Sequence, residues 1–84
     1  MQIQTSLDWH DAQTELRARL GNVPYNPDLW RMLVNIGNMV TSLSQVEVEA
    51  RRKNLAHITE PKVLAINQAI DHFEKLLLIA ELMK

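Results

Sequence analysis

Cysteine is absent from this sequence, glycine occurs twice, and the aromatic side chains amount to two tryptophans, one tyrosine and one phenylalanine. Without cysteine there is no disulfide and no thiolate chemistry, which fits a reducing compartment. Two glycines are too few for a Gly-rich phosphate cradle. Neither sign of charge dominates: nine lysines and arginines stand against ten carboxylates, a formal net charge of -1. That balance gives no general attraction to nucleic acid or to anionic lipid. No run approaches the ~20 apolar residues of a transmembrane helix. The first residues lack the charged region and the apolar stretch of a secretory signal. A cytoplasmic protein without a membrane partner is the expectation. Strand-like alternation is scarce, so the chain reads as all-α, and 84 residues make a single helical domain, 1–84.

What the sequence does have is helical periodicity. From Pro61 to Met83, the residues Val63, Ile66, Ile70, Phe73, Leu77 and Ala80 follow one another at spacings of 3, 4, 3, 4 and 3. That is the seam of a core-facing helix. A second stripe runs beside it through Ala65, Ala69, His72, Leu76, Ile79 and Met83. Together they cover about half the circumference, more than the ~100° of an ordinary surface helix, so this helix needs two neighbours. Leu78 and Leu82 interrupt the polar side, which makes Leu76 to Met83 apolar almost all round. Another helix of the chain, a second copy or a partner has to cover that end.

Residues 1–5 show no pattern and are expected to fray. Ser6 is a candidate N-cap for a first helix over 7–20, whose buried stripe is Trp9, Ala12, Leu16 and Leu20. Gly21 and Asn22 then offer a left-handed stop. After a short loop, Asn26-Pro27-Asp28 is the best helix start in the chain: a capping side chain, proline in the first position and an acid in the second. The same Asn-Pro-Asp-Leu opening resembles the helix start of secretion-system needle subunits; the likeness ends with those four residues and no function follows from it. A long helix over 27–57 buries Leu29, Leu33, Ile36, Val40 and Leu43, with a conceivable break at Thr41-Ser42. Glu47 to Arg51 and Glu49 to Lys53 are i,i+4 pairs in the favourable order. Thr59-Glu60-Pro61 is a turn short enough to make the helices on either side antiparallel neighbours. The fold expected is a three-helix chain: a short N-terminal helix packed on the open end of a long antiparallel hairpin of helices 27–57 and 61–83.

Three constellations could carry function. Gly37, Thr41, Ser44 and Val48 form a small-residue stripe on the second helix, which reads as a groove for self-association or a partner helix, as the place where the first helix crosses, or as a merely solvated polar strip. With Leu78 and Leu82 it makes the candidate protein interface. Arg51, Arg52 and Lys53, with His57 and Lys62, gather positive charge at the hairpin tip. They read as a contact to phosphates or to an acidic partner, or as solvated cations that complement the C-terminal end of a helix dipole. No aromatics are interleaved with them to stack on bases. His10, His57 and His72 lack the spacing of a metal site, so no metal or cofactor is expected. His72 is expected to be half-buried. Trp9, Trp30 and Tyr25 read as buried anchors of the junction with the first helix.

No catalytic spacing is present, which points away from an enzyme and towards binding. The function expected is a small non-enzymatic helical protein–protein interaction module, an adaptor, chaperone or inhibitor, forming a homodimer. The alternative is a dimeric nucleic-acid accessory protein that uses Arg51, Arg52, Lys53 and Lys62.

Overall fold

The computed structural model describes residues 1–83. Three helices follow one another, α1 (Trp9–Leu20), α2 (Pro27–Lys53) and α3 (Glu60–Leu82), with short 3-10 turns at Ser6–Asp8 and Ala56–Thr59 and no strand among the described residues. The result is a rod of 48 × 18 × 15 Å.

The α2–α3 hairpin forms because each helix carries one continuous apolar seam. Leu29, Leu33, Ile36, Val40 and Leu43 from α2 are buried against Ile66, Ile70, Phe73 and Leu77 from α3. The start of α2 is fixed as the sequence indicates: Asn26 Oδ1 accepts from the N–H groups of Asp28 and Leu29 at 3.0 and 3.3 Å. The helix does not break at Thr41-Ser42; Thr41 Oγ1 instead donates to the Gly37 carbonyl at 3.2 Å.

Helix α1 runs along one side of the hairpin's open half. Ser6, just before it, bonds to Glu47 of α2. The Trp9 indole lies over Gly37, and Arg19 at the other end reaches Glu74 and Glu81 of α3. Its buried stripe is the expected one, Trp9, Ala12, Leu16 and Leu20. Leu16 and Leu20 share one core with Leu29, Leu33 and Leu77, and Trp30 packs on its edge.

Several expectations are corrected. Residues 1–5 are docked rather than frayed. Ile3 is 1% exposed, its N–H donates to Asn67 Oδ1 at 2.8 Å, and Asn67 Nδ2 donates to its carbonyl at 2.9 Å. Ser6 does not cap α1: Thr5 opens the first 3-10 turn, with Asp8 reaching back to the Gln4 and Thr5 N–H groups. Gly21 stays right-handed at φ -68°, and α1 ends by tightening, with Asn22 N–H on the Arg19 carbonyl and the Asn22 amide on that of Ala18. Helix α2 stops at Lys53 and not at 57. Asn54 takes the left-handed conformation, φ 56° and ψ 43°, and both Asn54 and Leu55 donate to the Ala50 carbonyl. A left-handed residue followed by two bonds to one carbonyl is an ordinary helix stop, and asparagine tolerates it better than any residue but glycine.

Candidate functional site

Two kinds of surface remain once the core is assigned. The first is the outer side of α3. Leu64, Leu78, Ile79, Leu82 and Met83 are all exposed, Leu82 at 78% and Met83 at 81%. The second stripe of α3 is covered only in part: Ala69 and Leu76 pack against the core, while Ala65 and His72 are exposed. The expectation of a half-buried His72 is therefore corrected. The reason is geometric: α1 flanks α3 on its Glu74 and Glu81 side, and among the described residues nothing flanks the opposite side.

The second surface is a cleft of about 470 Å³ at the tip half of the hairpin, ahead of the first turn of α1. Its walls are α2, through Ser44, Glu47, Ala50 and Arg51, and the turn after it, through Asn54, Ala56 and Thr59; residues 4–7 close one end. Glu47 is already engaged. One carboxylate oxygen accepts from the Ser6 N–H at 2.9 Å and the other from Ser6 Oγ. The expected Glu47–Arg51 pair is consequently not made, because a backbone N–H and a hydroxyl that hold a carboxylate in place outcompete a long exposed cation. Arg51 is left on the cleft wall without a carboxylate partner among the described residues.

The small-residue stripe is divided between these environments. Gly37 lies beneath α1, and a Cβ there would sit 3.7 Å from Trp9 Nε1. Thr41 is exposed, Ser44 lines the cleft, and Val48 is 47% exposed.

The basic cluster is dispersed. Consecutive residues on a helix lie ~100° apart, so Arg51, Arg52 and Lys53 leave α2 in three directions. Arg52 and Lys53 both turn towards Glu49, at 4.0 and 3.4 Å. Lys62 donates to Ser42 Oγ at 2.9 Å, and His57 is exposed. His10 is exposed too, and no group of three or more His, Cys, Asp or Glu able to hold a metal ion occurs among the described residues. No helix of the described residues is long and apolar enough to cross a membrane.

Of the aromatic anchors, Trp9 is buried and Trp30 half-buried, but Tyr25 is 80% exposed and so corrects its expected burial. Tyr25 falls in the loop before α2, where no helical face carries it inward.

The strongest ion pair joins α1 to α3. Arg19 Nη2 lies 2.6 Å from Glu81 Oε1 and its Nε donates to Oε2 at 3.2 Å, with Glu74 at 3.6 Å from Nη1. The hydrogen bond to Glu81 raises the Arg19 pKa above its already high value. The pair is partly exposed and contributes at most ~1 kcal/mol.

Sequence reasoning missed the burial of Ile3, its pairing with Asn67, and the contact between Ser6 and Glu47. One signal was present, the Thr5-x-x-Asp8 spacing of a helix start. The Asn67 contact had none, because it bridges 64 positions.

In comparison with known proteins, no family model, no curated protein and no solved structure matches the chain. What the protein does has to be read from its own geometry.

Proposed function

We propose that this chain is a small non-enzymatic helical module that binds a protein partner, acting as an adaptor, chaperone or inhibitor, and that it self-associates as a homodimer. The observation that carries the reading is the outer side of α3. A helix that buries Ile66, Ile70, Phe73 and Leu77 inside the chain leaves Leu64, Leu78, Ile79, Leu82 and Met83 outside it. Apolar side chains gathered on one element, rather than scattered singly, favour association. The Gly37–Val48 stripe adds less to the reading, since Gly37 is already under α1.

Light scattering coupled to size exclusion tests the self-association half. The expected result is a mass that rises with concentration through the micromolar range, and that falls to the protomer's in a Leu78→Glu/Leu82→Glu variant of unchanged helicity. A strict monomer at high micromolar concentration, with no binding of an apolar dye, removes that half. The nucleic-acid alternative draws less support, because its cations point in different directions and two of them share Glu49. No shift of a duplex at low salt ends it.

A further inference from the structure

We propose that the channel between α1 and α3, filled by the chain's own residues 1–5, is a peptide-binding site whose incoming ligand is an extended cationic segment of a partner protein with an aliphatic anchor residue. This site is separate from the outer side of α3, so either reading can fail without the other.

The segment is held in the way a bound peptide is held. Thr5 is extended, at φ -136° and ψ 169°, and residues 1–5 belong to no helix. One side-chain amide, that of Asn67, pairs with both the N–H and the carbonyl of Ile3, at 2.8 and 2.9 Å. Any residue in extended conformation offers that donor and acceptor, so the contact recognises backbone and not sequence. The Ile3 side chain supplies the selectivity: it is 1% exposed and belongs to the hydrophobic core. Main-chain pairing for affinity and a side-chain pocket for choice are the two parts of extended-peptide recognition.

The charge around the channel says what would fit better than the present occupant. Gln2 and Gln4 flank the anchor, point outward, and line an adjoining cleft of about 460 Å³ together with Asp8, Asp11 and Glu15. Asp8 is occupied by the Gln4 and Thr5 N–H groups. Asp11 makes no ion pair among the described residues, and Glu15 makes none within 4 Å, although the Arg19 guanidinium lies near enough to feel its charge. The tethered occupant brings one cation, the Met1 ammonium 3.1 Å from Glu74 Oε1, but its Gln2 and Gln4 side chains set no charge against Asp11 and Glu15. A segment with Lys or Arg in those two places keeps the anchor and the backbone pair and adds opposite charge. Tethering gives the chain's own segment a high effective concentration, so an untethered rival is best seen when the tethered anchor is weakened.

The test uses the full chain carrying Ile3→Ala, titrated at low salt with Met-Lys-Ile-Lys-Thr labelled at its C-terminus, and read by fluorescence anisotropy. Saturable binding is expected. It should weaken about tenfold, or 1.4 kcal/mol, when the probe's Ile is replaced by Ala, and again when the chain also carries Asn67→Ala. The preference over Met-Gln-Ile-Gln-Thr should vanish in an Asp11→Asn/Glu15→Gln chain. No saturable binding to a helical Ile3→Ala chain, or binding indifferent to the anchor, overturns the proposal. If Ile3→Ala costs the chain its helicity, the intact chain decides through Gln2→Lys/Gln4→Lys. That variant should slow hydrogen exchange at the Ile3 amide several-fold at low salt and not at high salt. Exchange that is unchanged or faster overturns the proposal equally.

Discussion

The open half of the hairpin and its tip half are built from the same two helices but are held by different contacts. At the open half a third layer covers the α2–α3 groove: Leu16 and Leu20 from α1 and Ile3 from the N-terminal segment join Phe73 and Leu77, all of them nearly or wholly inaccessible. At the tip no third helix covers the pair among the described residues. Ala50 is the buried side chain of the last turns of α2, while Val48, Leu55 and Leu64 are all exposed. The difference teaches that helix length alone does not distribute stability. A 27-residue α2 spans both halves as one continuous element, yet its two ends differ in what they bury. Local opening follows buried apolar contacts, so the tip should open well before the open half does.

The largest effect should come from breaking the three-layered half. Phe73 is fully buried, so Phe73→Ala should cost about 3–5 kcal/mol, through lost burial and the cavity left behind. The matching change at the tip, Leu64→Ala, removes a side chain 60% exposed and should stay within ~0.5 kcal/mol. Urea unfolding of both variants measures the contrast, and amide exchange of the parent should be faster over residues 48–53 than over 29–43. Equal costs in the two variants would show that the halves are not distinct.

What could be read in advance follows the same division. The seam from Val63 to Ala80 and the start at Asn26-Pro27-Asp28 were legible because they depend on near neighbours: helical spacing in one case, a local capping bond in the other. The antiparallel hairpin and the covering α1 stripe followed from them. The N-terminal segment was not legible. Ile3 is a single apolar residue without periodicity, and its backbone is paired with an asparagine 64 positions away. Asn54 was misread because asparagine is compatible with both a helix and a left-handed stop, and the chain offers no glycine or proline there to decide. Arg51 was assigned to Glu47 by spacing, but Ser6 takes that carboxylate from outside the helix. The cleft at the tip was invisible for that reason, since its walls come from two distant segments.

A smaller effect sharpens the tip half. Asn54 holds φ 56°, a conformation that costs a β-branched residue ~1–2 kcal/mol and glycine nothing. Asn54→Val should lower stability by about that much, and Asn54→Gly should be neutral or slightly stabilising. If α2 ran on to 57 as one helix, the order would reverse, since valine is the better helix former. The urea midpoints of the two variants therefore report whether the stop after Lys53 persists in solution.

The smallest effect concerns the turn that carries residues 1–5 into α1, where the two halves meet. Asp8 Oδ2 accepts from Gln4 N–H at 2.8 Å and from Thr5 N–H at 3.0 Å. Those bonds, Gln4's first, hold the Asp8 pKa below the ordinary aspartate value. A carboxylate whose pKa is lowered by folding stabilises the fold while ionised, so its contribution is fully present above the ordinary range of ~4 and is lost as the pH falls through the lowered value. The side chain is fully exposed, so the turn should loosen while the core stays intact. Followed by NMR, the Gln4 and Thr5 amide shifts should titrate together with a midpoint below that of a free aspartate, and Asp8→Asn should abolish the transition. A shared midpoint at or above the free value would mean that the carboxylate does not hold the turn, and that Asn67 and the Ile3 pocket keep the segment docked on their own.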